Sequence, residues 1–177
     1  LLDEQGGHIT ATAASGSEVA VGDATKILEL EELPQCIRRA LLSTTAVVTD
    51  HPSESCAGCP VAHRSLGRYC LSRRLARENR TYGVLTASVP SAKMLASETR
   101  DLFEELADDL GFALHKINSA NTLRESEARF RSIFENSHAV MVILDPERAA
   151  IVDANPAAAQ FYGWSREELV GKSIAEI

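Results

Sequence analysis

Residues 101–136 read DLFEELADDLGFALHKINSANTLRESEARFRSIFEN. Leu102, Leu106, Leu110, Ala113, Ile117 and Ala120 recur every three or four positions, and Leu123, Phe130 and Ile133 resume the stripe after a polar stretch. That spacing is the period of an α-helix with one apolar face. Glu, Asp, Arg and Lys fill the positions between. The pattern predicts one helix from about 97 to 135, roughly 55–60 Å long at about 1.5 Å per residue. An ordinary core helix does not need that length. The stripe therefore predicts a dimeric coiled coil joining two folded units, with Leu106, Leu110, Ala113 and Ile117 on the pairing face.

Upstream of the helix the pattern is mixed. LLDEQGGHITATAASG at residues 1–16 has a strand–turn–strand look, with Gly6-Gly7 at the turn and β-branched alternation over 9–13. Pro34 suits the first turn of a helix, which puts Ile37, Ala40 and Leu41 on one face. Residues 45–49 read as a short strand that ends at Asp50-His51-Pro52. Two longer strands are expected over 69–76 and 81–89, joined by a short hairpin at Arg77-Glu78-Asn79-Arg80. Downstream, 139–144 is a compact strand and Asp145-Pro146-Glu147 turns the chain into a return strand at 150–152. Asn155 can cap the next helix with Pro156 at its first position, and Ser165-Arg166-Glu167-Glu168 matches a capping box. The fold class expected is α+β: an antiparallel-sheet domain over 1–116, a helical linker over 117–130, and a second α+β unit over 131–177.

Composition narrows the function. The chain has 177 residues, 45% apolar and 24% charged, with a formal net charge of -7. A general nucleic-acid binder would show a basic surface instead. No apolar run approaches the roughly 18–20 residues that span a bilayer, and no signal peptide opens the chain. The chain lacks an initiator Met and stops while a pattern is still running, so it reads as a fragment of a longer polypeptide. A cytoplasmic, reducing setting is expected, with any membrane anchor outside these residues.

The four cysteines are Cys36, Cys56, Cys59 and Cys70. Cys56 and Cys59 sit in SESCAGCPVAH at 53–63, and with His51 and His63 they make a compact His-x4-Cys-x2-Cys-x3-His array. Zinc takes four N or S ligands in a tetrahedron, and Cys-x2-Cys supplies half of that set. Three readings stay open: a bound metal ion, a redox dithiol, and two reduced cysteines in a partly buried loop. Pro60 after Cys59 is wrong for haem attachment. Cys36 and Cys70 read as small buried residues. A four-thiolate cluster is not demanded by their spacing. Arg64, Arg68, Arg73, Arg74, Arg77 and Arg80 form a basic row that reads as a solvated face, or else as a site for an anion or acidic surface.

Two resemblances follow. The stretch 129–177 resembles the N-terminal half of a PAS sensor domain. The resemblance rests on Phe134-Glu135-Asn136-Ser137, Leu144-Asp145, Ile151-Val152-Asp153-Ala154-Asn155-Pro156, Gly163-Trp164-Ser165 and Glu167-Glu168-Leu169-Val170-Gly171-Lys172. Residues 1 to about 117 are similar to a GAF domain without its first helix and strand. The carriers are Leu1-Leu2-Asp3-Glu4, Gly67-Arg68, Arg80-Thr81-Tyr82-Gly83-Val84-Leu85 and the helix from Leu102. The pair resembles the input half of bacterial sensor histidine kinases, of diguanylate cyclases and of some transcription activators. It implies signal sensing with no chemistry in this stretch, a ligand pocket over a curved antiparallel sheet, and output in a domain elsewhere. No Walker A loop, zinc-protease motif or phospho-acceptor box argues otherwise. His138 reads as a surface or strand-edge residue.

The function expected is the sensory input region of a two-component regulator, most simply a sensor histidine kinase. It would relay a small-molecule, metal or redox signal through a homodimeric helix, and its small-molecule ligand stays unknown. A different class would be a GAF-fold thiol enzyme similar to free methionine sulfoxide reductases. A third would be a dimerisation module with no ligand.

Overall fold

The computed structural model describes residues 1–2, 9–15, 32–56, 59, 62 and 68–177. The chain is α+β and divides into two compact units, Leu1–Asn118 and Ser119–Ile177.

In the first unit, helix α1 spans Gln35–Leu41. Pro34 stands just outside it as the N-cap, and Cys36 and Ala40 are its buried residues. Strand β1 covers Val47–Asp50 and the helical turn α2 covers Pro52–Ser55. Strands β2 (Tyr69–Arg77) and β3 (Arg80–Val89) follow. The three strands form an antiparallel sheet in the order β1-β2-β3. Arg77 pairs with Arg80, so Glu78 and Asn79 alone make the hairpin turn. Glu78 takes the left-handed conformation that such a tight turn requires, at φ 54.

Two expectations for this unit change. Residues 9–13 do not form a strand; Ile9 makes a single bridge to Leu2, and Thr10 donates to the carbonyl of Leu1 at 3.0 Å. Ala11 and Ala13 offer little cross-strand side-chain contact to extend that pairing. The Gly6-Gly7 turn lies outside the described residues. The segment after β1 is not wholly a loop, since Pro52 fits the first position of α2 and His51 enters it at φ 46.

Helix α3 runs unbroken over Ser97–Asn136, 40 residues, preceded by a short 3-10 turn at Ala92–Leu95. Its first half has two different faces. Phe103, Ala107 and Gly111 are buried. Their four-residue spacing puts them on one side, toward the sheet. A Cβ on Gly111 would lie 2.8 Å from the carbonyl oxygen of Ala76, so only glycine lets helix and strand approach this closely. Glu104 accepts a hydrogen bond from Ala46 at 2.6 Å and forms an ion pair with Arg73. Arg73 also donates to Asp108 at 2.7 Å, and Tyr82 bonds His115 Nδ1 at 2.8 Å. The second face carries Leu102, Leu106, Leu110, Ala113 and Ile117, all exposed. Every residue from 119 to 133 is exposed as well. No helix among the described residues is long and apolar enough to cross a membrane.

The second unit contains an antiparallel hairpin of β4 (Val142–Asp145) and β5 (Ala150–Ala154). Helices α4 (Pro156–Tyr162) and α5 (Arg166–Leu169) follow. Ile151, Ala154, Ala158 and Leu169 are buried together, with Val142, Tyr162 and Trp164 around them. Asn155 caps α4 by accepting from the backbone of Ala158 at 2.9 Å, and Pro156 follows it. Both halves of the Ser165 capping box form: Ser165 N–H donates to Glu168 at 2.8 Å, and Glu168 N–H donates to the Ser165 hydroxyl at 3.3 Å. Strand β4 starts later than the expected 139. The Asn155 side chain occupies that stretch instead, accepting from Met141 N–H at 3.0 Å and donating to the Ala139 carbonyl at 2.8 Å.

Candidate functional site

The alternation of β2 decides what each sheet face offers. Arg73 turns toward α3, since it meets Glu104 and Asp108 there. Leu71 and Leu75 share its side of the strand. Cys70 and Ser72 therefore belong to the other side, and both are buried. Opposite Cys70 in the ladder stands Thr49, also buried. Its hydroxyl has no hydrogen-bond partner among the described residues. Ser72 is satisfied by the Thr86 hydroxyl across the strand at 3.0 Å.

Cys36, Cys56 and Ala62 form a buried cluster with Ile37 and Cys59 packed against it. Helix α1 turns Cys36 inward, one turn before the buried Ala40. Cys56 closes α2, its N–H bonding the Pro52 carbonyl at 2.9 Å. The chain then winds on, with Cys59 N–H bonding the Cys56 carbonyl at 3.0 Å and Ala62 N–H bonding that of Cys59 at 3.1 Å. Cys36 and Cys56 share this buried cluster, and Cys56 lies close enough to help push the Cys36 thiol up. Among the described residues none of the four cysteines is in a disulfide; Cys59 is the half-buried one and the others are buried.

Burial, above all, pushes the Cys36 thiol up from 9.0 to about 12, and Cys56, Cys59 and Cys70 add to the shift. A thiolate on Cys36 would lose hydration and face three further sulfurs. At neutral pH Cys36 is therefore a thiol, poor as a nucleophile in that form. What the arrangement does chemically is hold Cys36 and Cys56 in one buried cluster while keeping Cys36 un-ionised.

The residues expected to act with Cys56 and Cys59 are placed differently from one another. His51 is exposed and tilts against the Tyr69 ring, centroids 6.4 Å apart. His63 lies outside the described residues. Among the described residues no three His, Cys, Asp or Glu side chains are arranged to hold a metal ion. Cys36, read from the sequence as a small buried residue, is buried as expected, and it shares its cluster with Cys56. One signal could have shown this: Cys36 and Ala40 are four apart on α1, so the buried face includes the cysteine.

The basic row meets its own chain. Arg68 donates to the Ser88 hydroxyl at 2.9 Å, Arg77 lies over the Phe112 ring and Arg80 over the Tyr82 ring. Arg73 takes the acidic residues of α3, and Arg64 lies outside the described residues. In the second unit, Arg166 clamps Asp153 through two bonds of 2.7 and 2.8 Å and reaches Glu135 at 3.0 Å. It ties the last turn of α3 to β5, a role invisible in the sequence. The Arg166 guanidinium holds the Asp153 carboxyl below its usual value. His138 is exposed.

Residues 128–176 match the family model described as the PAS fold. The methyl sulfide methyltransferase-associated sensor of Methanosarcina acetivorans is 30% identical over 95 residues, covering 54% of this chain and 10% of that protein. Diguanylate cyclase DgcM of Escherichia coli K12 is 34% identical over 86 residues, covering 48% of this chain and 21% of that protein. The chain thus spans about a tenth to a fifth of the length of these curated relatives. Among solved structures, the E. coli DhaR(N)-DhaL complex aligns over 78% of this chain and 45% of that one, with a TM-score of 0.41 and 16% identity.

Proposed function

We propose that this chain is the sensory input region of a larger signalling protein, with a PAS-type sensor domain at its C-terminal end. The first unit, GAF-like in our reading, receives a small ligand, a metal or a redox change. Helix α3 carries the response as a change in how two copies of it pack. The output is a histidine kinase or, in line with one relative's name, a diguanylate cyclase. Catalysis then lies outside these residues. The parent protein works in the cytoplasm and neither unit binds nucleic acid.

One observation carries this reading. A single 40-residue helix belongs to both units, and its Leu102–Leu106–Leu110–Ala113–Ile117 stripe is exposed while a separate face meets the sheet. Isolated helical segments without tertiary packing are marginal in water, and a second copy offers the matching apolar surface. A signal would act by binding two packings of the pair unequally. Sedimentation equilibrium of the chain tests it: a dimer that Leu106→Glu with Leu110→Glu converts to monomer is expected. A wild-type chain that stays monomeric at high concentration overturns it.

The packed thiols favour a second reading, a GAF-fold thiol enzyme. Turnover of free methionine sulfoxide, abolished by Cys59→Ser, would establish it in place of the first.

A further inference from the structure

We infer that Cys36 and Cys56 are the end pair of a reversible disulfide, reached through Cys59, and that a hydroperoxide is the oxidant. This rests on reading the first unit as a sensor, and it names the chemistry of that sensor. The geometry starts from the buried cluster that packs Cys36 with Cys56 and brings Cys59 against it. A disulfide needs an S–S bond of about 2.0 Å, and two cysteines packed in one buried cluster are placed to form it. Cys59 packs against the same cluster and is the half-exposed thiol of the four, so it is where a water-sized oxidant first arrives.

The steps balance. The Cys59 sulfur takes one oxygen from hydrogen peroxide, giving a sulfenic acid and one water. Cys56 attacks that sulfur and expels the second water, leaving a Cys56–Cys59 disulfide. Cys36 then attacks Cys56, and Cys59 leaves as a thiol. Two thiols have lost two electrons and two protons, and the peroxide has become two waters. The last step is slow because Cys36 is hardly ionised, its thiol being pushed up to about 12. The same property makes it a poor leaving group, so a disulfide to Cys36 resists reopening once formed. The bond would staple α1 to the chain beyond α2, on the side of the sheet opposite α3. Cys70 and the unpartnered Thr49 hydroxyl line that side but take no part in the exchange.

A tryptic map of the whole chain tests the inference. The chain is treated with limiting hydrogen peroxide, quenched with an alkylating agent, and digested without reductant. Cys36, the Cys56/Cys59 pair and Cys70 fall in three separate peptides. The expected course is an early disulfide within the Cys56/Cys59 peptide, then a cross-link from it to the Cys36 peptide, with Cys59 alkylated and dithiothreitol reversing both. Cys59→Ser should slow the cross-link by about tenfold or more, and Cys70→Ser should leave it unchanged. A product that stays at Cys56–Cys59, four thiols that remain alkylatable, irreversible sulfinic acids, or zinc or iron held by these thiols after anaerobic purification would each overturn it. The wild-type map alone decides, so a variant that fails to fold does not obscure the result. A cross-link that forms while the distance between paired α3 helices stays fixed, read from spin labels, would sustain the disulfide and sink the sensor reading.

Discussion

The two units handle buried polarity in opposite ways. In the second unit, Asn155 is fully buried and finished: it accepts from Met141 and Ala158 and donates to Ala139. Each contact fixes something, namely the approach to β4 or the start of α4. In the first unit, Ser72 behind the sheet is met by Thr86, but a neighbouring buried group is unfinished. Thr49 has no partner among the described residues, and Cys36 meets only other sulfurs in its electrostatic surroundings. A satisfied polar network specifies one structure, whereas a partly satisfied one leaves a second state within reach.

The hardest test of that contrast is Asn155→Ala. It strips the cap of α4 and leaves the Met141 N–H and the Ala139 carbonyl without their side-chain partner. A loss of about 3 kcal/mol in the second unit is expected from a cap plus buried unmet groups. Denaturant unfolding, followed by Trp164 fluorescence, would measure it. A loss below about 1 kcal/mol would mean the network is not what fixes this unit.

The second test presses on the side of the sheet that meets α3. If that seat is rigid while the thiol side is poised, Gly111→Val should cost about 2 kcal/mol, since its Cβ meets the Ala76 backbone. Thermal unfolding of the variant reads this, and thiol accessibility should change little.

The smallest effect is a pH slope. The Cys36 proton is held to about 12 in the fold but released near 9.0 when unfolded. Below 9.0 both states keep it, and stability is full. Between 9.0 and about 12 the unfolded chain sheds a proton that the folded chain retains, so stability falls as pH rises. One group gives at most about 1.4 kcal/mol per pH unit. Urea midpoints for wild type and Cys36→Ala should differ in slope above pH 9 and run parallel below it.

Much of the architecture was legible because long or capped elements declare themselves locally. The apolar stripe set α3 almost to its ends, and Asn155-Pro156 and Ser165–Glu168 set the starts of α4 and α5. The sheet-facing side of α3 was not legible. Ala107 and Gly111 carry little hydropathy, and the exposed leucines beside them dominate the pattern. The thiol pairing was hidden for a different reason. Cys36 and Cys56 meet only after β1 has turned the chain back, and no local period records that. Arg73 and Arg166 likewise found acidic partners 31 and 13 residues away, at Glu104 and Asp153.

Every residue from 119 to 133 is exposed. No residue in it is buried, so the length of this stretch is less constrained than its helical phase. Adding one residue turns everything beyond it by about 100°, whereas seven restore the face to within about 20°. Insertions or deletions in this stretch would then be tolerated best in steps of seven. A change out of step would leave both parts folded but turn the helix face beyond it away from the stripe before it.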